Sequence, residues 1–298
     1  MIDATTMPVK FTNREAITKD RNRERRFFLG LALPAMLIIM TVVFVPIFWL
    51  SSLSLFDTAN ELTIENYQRI FQSNLYIRTF IITFEITISV TAICILLGYP
   101  LCYWISLLPS RTAGILLIFV LFPFWTSVLV RTYAWLVILQ RHGVINDTLM
   151  WLGLIEAPIQ LVHNLTGSII GMVHIMLPFL ILPLYASMRA IDGNLVKAAI
   201  GLGSTPRQAF WRIFFPMSMP GLFAGIVLVF VLSLGFYVTP ALLGGGRVQM
   251  LAQRIESTIM IYTNWGAASA LGVVLLIIAL VMIWTMNRIF GLDKIFMR

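Results

Sequence analysis

Charge is scarce in this sequence: only 11% of its 298 residues are charged, and just 13 of those are acidic. Cysteine occurs twice and histidine three times, and neither an internal repeat nor a low-complexity tract is present. Each shortage excludes something. Soluble domains carry roughly a quarter of their residues as charges, so a soluble fold does not suit this composition. Cys94 and Cys102 stand eight positions apart on one predicted helix, about 12 Å along its axis, too far for a disulfide; they read as packing residues. His142, His163 and His174 lack metal-ligand spacing, and Gly244-Gly245-Gly246 follows no strand. They read as two loop histidines, a core histidine and a turn, so neither a zinc site nor a nucleotide loop is supported. No GxxxxGK[ST] motif occurs, which leaves any ATP chemistry to another chain. No cluster of acids, bases or metal ligands gathers at one depth, so a membrane-embedded enzyme is not expected.

What the sequence has is apolar length, at 59% of all residues. About 20 mainly apolar residues cross a bilayer as a helix, because every backbone N–H and C=O is paired within the segment. Six stretches qualify: 27–50, 79–108, 113–139, 166–188, 220–243 and 267–289. The expected fold is therefore all-α, a basic arm over 1–26 followed by one six-helix membrane domain over 27–298. The first span is too long for a signal peptide and has no small-residue cleavage site after it, so it is expected to be retained.

Orientation follows from Lys and Arg, which short cytoplasmic loops retain. The arm carries Lys10, Arg14, Lys19, Arg21, Arg23, Arg25 and Arg26; the turn between spans 2 and 3 carries Arg111; the loop between spans 4 and 5 carries Arg189, Lys197, Arg207 and Arg212; and the tail carries Arg288, Lys294 and Arg298. The opposite loops hold only Arg69, Arg78, Arg141, Arg247 and Arg254. Fifteen against five places both termini in the cytoplasm. The net charge of +8 is then a topology signal with attraction to anionic lipid, not a nucleic-acid footprint. Prolines inside the spans, among them Pro100, Pro123, Pro178 and Pro183, suit a kinked bundle with a pathway through it. In the 3–4 loop, Val144, Ile145, Leu149, Leu152 and Ile155 recur at helical spacing beside Trp151, which fits an interface-lying segment or packing on the bundle.

The most informative stretch is the loop 189–218. Asn194 is a candidate N-cap, and Leu195, Ala198, Ala199 and Leu202 repeat at i, i+3, i+4 and i+7. Gly203 suits the left-handed C′ position. Ser204 or Thr205 then caps a second helix with Pro206 at its first position, running through Phe210 and Ile213 until Pro216 ends it. Helices this short are not stable alone in water, so an apolar face here calls for a partner.

The same residues resemble the signature of bacterial ABC importer permeases: EAA, three residues, Gly, nine residues, Ile, one residue, Leu-Pro. Here Lys197-Ala198-Ala199, Gly203, Ile213 and Phe215-Pro216 stand at every required spacing, with Lys197 in place of Glu and Phe215 in place of Leu. Arg131-Thr-Tyr-Ala-Trp135 with Gly143-Val-Ile-Asn146, Leu182-Pro-Leu-Tyr185, and Phe236-Tyr-Val238 with Leu243-Gly-Gly245 resemble the spermidine/putrescine permeases in particular. The resemblance implies a six-helix importer subunit in the bacterial inner membrane that forms half a pathway for polyamines or similar small amines, with an amino acid or an opine-like solute as the alternative cargo. It implies as partners a cytoplasmic ABC ATPase dimer that binds the ATP, a second permease subunit and a periplasmic solute-binding protein. The ATPase is met through Leu195, Lys197, Ala198, Ala199, Leu202, Gly203, Ile213 and Pro216.

Two ionisable residues fall inside spans, Glu85 and Arg131, each costing about 2.5–3.5 kcal/mol on insertion scales. A structural pair between them is the expected arrangement, with a direct role for Glu85 towards a cationic solute as the alternative. Trp125, Tyr133, Trp135, Phe236 and Tyr237 are candidates for a pathway that binds alkylammonium groups through cation–π attraction, against the ordinary reading of packing or belt aromatics. A secondary carrier is disfavoured because it usually needs inverted repeats and more helices.

Overall fold

A computed structural model describes residues 14–57 and 61–290. The described residues are almost wholly helical, and the single β-bridge joins Phe56 to Leu62. The chain divides into two units, Met1–Ser52 and Leu53–Arg298. All but the last residue of α1 (Arg14–Leu53) lies in the first; the helix carries Pro34 and Pro46 without interruption, and its apolar part is Phe27–Leu53. The arm's described portion is thus helical and continuous with the first span; residues 1–13 lie outside the described residues, as do Lys294 and Arg298 of the tail.

The second unit begins with α2 (Glu65–Gln72), where Glu65 and Arg69 form an i,i+4 ion pair at 2.6 Å. It continues into α3 (Asn74–Ser106). Thr83, Ile86, Val90, Cys94 and Cys102 face inward along α3, a period of three to four that gives it one buried side. The two cysteines are free and buried, each thiol lying against an α7 (Leu165–Arg189) carbonyl, Val173 O at 3.8 Å and Ile181 O at 3.6 Å. They pack, as their spacing predicted.

The central helix is α7, apolar on every side and enclosed by α3 and by α10 (Phe215–Leu234). Within membranes, helices pack closely through small residues. That contact here runs through Gly221 and Gly225 of α10: a Cβ at Gly221 would lie 2.5 Å from Pro183 O, and one at Gly225 would lie 2.9 Å from Leu180 O.

Two spans depart from the expected boundaries. Residues 113–139 do not form one helix: α4 (Ser110–Leu121) passes through a 3-10 turn over Phe122–Trp125 into α5 (Val128–Ile138), bent by 97°. Pro123 lacks a backbone donor, and Thr126, with ψ at 147°, is extended, so the helical ladder stops there. The fifth span starts earlier and ends earlier than 220–243. A continuous apolar helix runs from Pro206 to Leu234, after which the Gly235–Tyr237 break leads to α11 (Val238–Leu243). α5 and α11 pack together, with the Thr132 and Thr239 hydroxyls 3.1 Å apart. Outside the hairpin that follows α7, the remaining helices are α6 (Val144–Trp151) between spans 3 and 4, α12 (Leu251–Met260) and α13 (Trp265–Phe290). Trp151, Val144 and Leu152 of the 3–4 loop are exposed, while Asn146 is buried and ties the loop shut by donating to Gln140 O and Ile159 O, both at 3.0 Å, and accepting from Ile159 N.

Candidate functional site

The hairpin after α7 is built from local signals. Its first helix is α8 (Gly193–Gly201), and its N-cap is Asp192 rather than Asn194: the Asp192 carboxylate accepts the Asn194 N–H at 2.9 Å. Asp is as good a cap as Asn, and the helix starts as soon as the first one is available. At the other end Gly203 takes φ +95°. Its N–H donates to Ile200 O, and the Ser204 N–H donates to Ala199 O, both at 3.0 Å. This is the doubly bonded Schellman turn, which satisfies α8's last carbonyls and needs a left-handed residue at that position. Thr205 then caps α9 (Pro206–Ala209) with Pro206 at N1. Gln208 completes a capping box, donating its N–H to Thr205 Oγ1 at 3.3 Å and accepting the Thr205 N–H at 3.0 Å. The Thr-x-x-Gln spacing, like Asp192, was a cap signal readable in the sequence and missed there.

Pro216 does not end the second helix. A π turn over Phe210–Phe214 intervenes, in which the Phe215 N–H reaches back five residues to Phe210 O. The wider turn re-registers the ladder so that Pro216 falls in the first turn of α10, where a missing donor is tolerated. Ile213 is half-buried in that π turn, and Pro216 belongs to the span rather than to the hairpin tip. An aromatic cluster holds the turn against α3: Tyr103 lies 5.0 Å from both Phe210 and Phe214, and Tyr99 lies 5.6 Å from Phe215 while its hydroxyl meets Ser218 Oγ at 2.9 Å. The run Phe210-Trp-Arg-Ile-Phe-Phe215 carried the signal, but not which helix it would meet.

The predicted apolar stripe divides in two. Ala199 is buried, at 8% exposure, so it packs inside the chain instead of on a docking face. Leu195 and Ala198 are exposed, and Leu202, at 89% exposure, stands almost free. Lys197 lies on another flank of α8, in the wall of a cavity of about 480 Å³ shared with Tyr103, Arg189 and Phe210. Arg189 anchors the base, donating to Ser106 O at 3.1 Å and to Ser110 Oγ at 2.6 Å.

Within the membrane segments the expected pair of Glu85 and Arg131 is not formed. Helix geometry explains this. Glu85 shares the exposed face of α3 with Ile81 and Ile88, opposite the buried Thr83, Ile86 and Val90, and borders an apolar groove with Phe84 and Val274. Arg131, on α5, has its Nε and Nη1 buried without a hydrogen-bond partner. Trp135, one turn further, donates to His174 Nδ1 at 3.0 Å, which makes it a structural residue of the α5–α7 contact. Phe236 packs against the main core. Trp125, Tyr133 and Tyr237 are exposed near the two helix breaks. No group of three or more His, Cys, Asp or Glu able to hold a metal ion occurs among the described residues.

A bundle of apolar spans that leaves a capped apolar ridge uncovered outside them is one membrane component of a larger assembly. The chain belongs to the family described as binding-protein-dependent transport system inner membrane component, whose model matches residues 24–290. It is a multi-pass inner-membrane permease. Its relatives include the spermidine/putrescine transport system permease protein PotB of Haemophilus influenzae, 36% identical over 225 residues that cover 75% of this chain and 78% of that protein. PotB of Escherichia coli is 33% identical over 230 residues, covering 76% and 83%. Among solved structures, a bacterial ABC transporter involved in import of the acidic polysaccharide alginate aligns with a TM-score of 0.68 at 19% identity, over 93% of this chain and 98% of that one, and supports the fold alone.

Proposed function

We propose that this permease forms half of an inner-membrane pathway for polyamines or closely similar small amines, and that ATP hydrolysed by a separate ABC ATPase drives it. The observation that carries the coupling reading is the uncovered ridge of Leu195, Ala198 and Leu202, held out by the Gly203 turn. Identity of 33–36% to spermidine/putrescine permeases over three quarters of the chain supports the solute class. A periplasmic binding protein delivers the solute, a second and related permease supplies the other half of the pathway, and both termini lie in the cytoplasm. Trp125, Tyr133 and Tyr237 line this subunit's share of the path, where their ring faces attract alkylammonium groups.

The test is reconstitution in proteoliposomes with the ATPase, the companion permease and the binding protein. ATP-dependent uptake of labelled spermidine or putrescine is expected. Uptake of an amino acid in preference to either would move the solute class, and uptake without the ATPase would remove the importer reading.

A further inference from the structure

The hairpin has a second flank, away from the ridge of Leu195, Ala198 and Leu202. Lys197 lies about 140° around α8 from Leu202, at ~100° per residue. It joins Arg189 in the wall of the cavity of about 480 Å³ that α8 and α9 form with the ends of α3 and α7. No acidic side chain lines this cavity, and among the described residues neither cation forms an ion pair. The nearest acid along the chain, Asp192, directs its carboxylate to the α8 cap. Arg189 donates to Ser106 O, Leu108 O and Ser110 Oγ, bonds that position its guanidinium without neutralising it. Most of the remaining wall is apolar: Tyr103, Phe210 and Phe214 pack on one another, while Leu107 and Ile200 are exposed. Trp104 and Trp211, one residue beyond Tyr103 and Phe210, are exposed as well.

We infer that this cavity holds the phosphate of an anionic phospholipid from the leaflet on the hairpin's side, with Lys197 and Arg189 as its ligands. Two of the longest spans end at the cavity, α3 at Ser106 and α7 at Arg189, so it lies where apolar spans give way to the headgroup layer. Exposed tryptophans belong to that layer, as Trp104 and Trp211 beside the cavity do. Two cations sharing one cavity repel each other, and a phosphate between them replaces that repulsion with charge-assisted hydrogen bonds. Basic pockets between membrane helices take phosphorylated headgroups for this reason. The volume falls within the roughly 300–1,000 Å³ of small-molecule sites and suits a headgroup with its glycerol, while Leu107 and Ile200 offer an apolar lip to the acyl chains. A free inorganic anion would meet the cations and leave that lip uncovered. The bound phosphate ties α8 to the ends of α3 and α7, so the lipid steadies the hairpin from behind and leaves the ridge open. The site stands apart from the docking of that ridge on the ATPase.

The experiment titrates the purified permease complex with phosphatidylglycerol, counts the bound lipid by native mass spectrometry and uses phosphatidylcholine as the neutral reference. Lys197 is the position varied, because Arg189 also holds the end of α3. Lys197→Gln should bind phosphatidylglycerol about fivefold more weakly than wild type, and Lys197→Arg should bind it as wild type does. Arg207→Gln removes a hairpin cation that does not line the cavity and should leave binding unchanged. Phosphatidylglycerol should also slow amide exchange over residues 193–201 in wild type and much less in Lys197→Gln. Equal binding by wild type and Lys197→Gln overturns the site, as does an equal loss in Lys197→Gln and Arg207→Gln, which would reduce the effect to diffuse surface charge. Inorganic phosphate separates the two sources of the anion. If it slows exchange over 193–201 as much as phosphatidylglycerol does, the cavity takes a free anion and the lipid assignment fails. ATPase retention by the same preparations reports the docking of the ridge separately.

Discussion

Gly203 and Gly221 are both indispensable to the structure, and for opposite reasons. Around Gly203 there is open space, and what the position demands is a φ of +95°. Around Gly221 there is no space, because α7 crosses α10 so closely that an added Cβ would fall against Ser187 and 2.5 Å from Pro183 O. One glycine sets a direction and the other sets a distance. The hairpin and the bundle seam therefore fail differently, and the difference separates coupling from assembly.

The largest effect is expected at the seam. Gly221→Val should remove folded protein from the membrane, at the upper end of the roughly 1–3 kcal/mol that overpacking costs, since backbone on α7 cannot retreat. Even Gly221→Ala should lower the folded yield seen by size-exclusion chromatography, because the clash begins at Cβ. A folded, wild-type yield for both would mean that α7 and α10 do not cross so closely.

Gly203→Val comes next and should look different. A Cβ in the left-handed region is disfavoured by about 1 kcal/mol and a branched side chain by more, so the turn distorts while the spans still insert. Normal folded yield with weak ATPase retention and poor uptake is the expected pattern, and wild-type values of both binding and uptake would break the comparison. Gly203→Ala should fall in between.

A smaller loss is expected for Thr205→Ala, which removes the capping box and about 1 kcal/mol from α9. Faster amide exchange over residues 204–209, reversed by Thr205→Ser, would locate the effect in the hairpin; unchanged exchange would show that packing alone holds it. The smallest change belongs to Glu85→Gln. No ion pair joins Glu85 to Arg131, so neutralising one leaves the other's surroundings intact, and folded yield should match wild type. A marked loss would show that the two residues are linked after all.

Much of this was legible from residue order. The spans announced themselves by apolar length, and the hairpin by Gly203, Thr205-Pro206 and the spacing to Ile213, all of which act within a few residues along the chain. What the sequence concealed depends on facing. Glu85 and Arg131 both fall within apolar stretches, but position along a stretch says nothing of which side of a helix meets which neighbour. Ala199 belonged to a correct helical stripe, yet the stripe is wider than the exposed ridge and its inner edge is buried. Prolines were ambiguous for the same reason. Pro123 breaks its span beside an extended Thr126, while Pro216 is absorbed by a π turn that only the packing of Phe210 and Phe214 on Tyr103 makes favourable.

That π turn leaves Pro206 to Leu234 as one unbroken rod of 29 residues, about 43 Å from end to end at ~1.5 Å per residue. One end joins the hairpin at the Gly203 turn; the other stops at the Gly235–Tyr237 break, beside the α11 helix whose Thr239 is bonded to Thr132 of α5. Such a rod behaves as a lever arm. Pivoted at one end, it converts a tilt of about 10° into a sweep of about 7 Å at the other, more than the width of a water molecule and comparable to an aromatic ring. A small angular push at the hairpin end would thereby be geared up to the scale of a side chain at the Gly235–Tyr237 break.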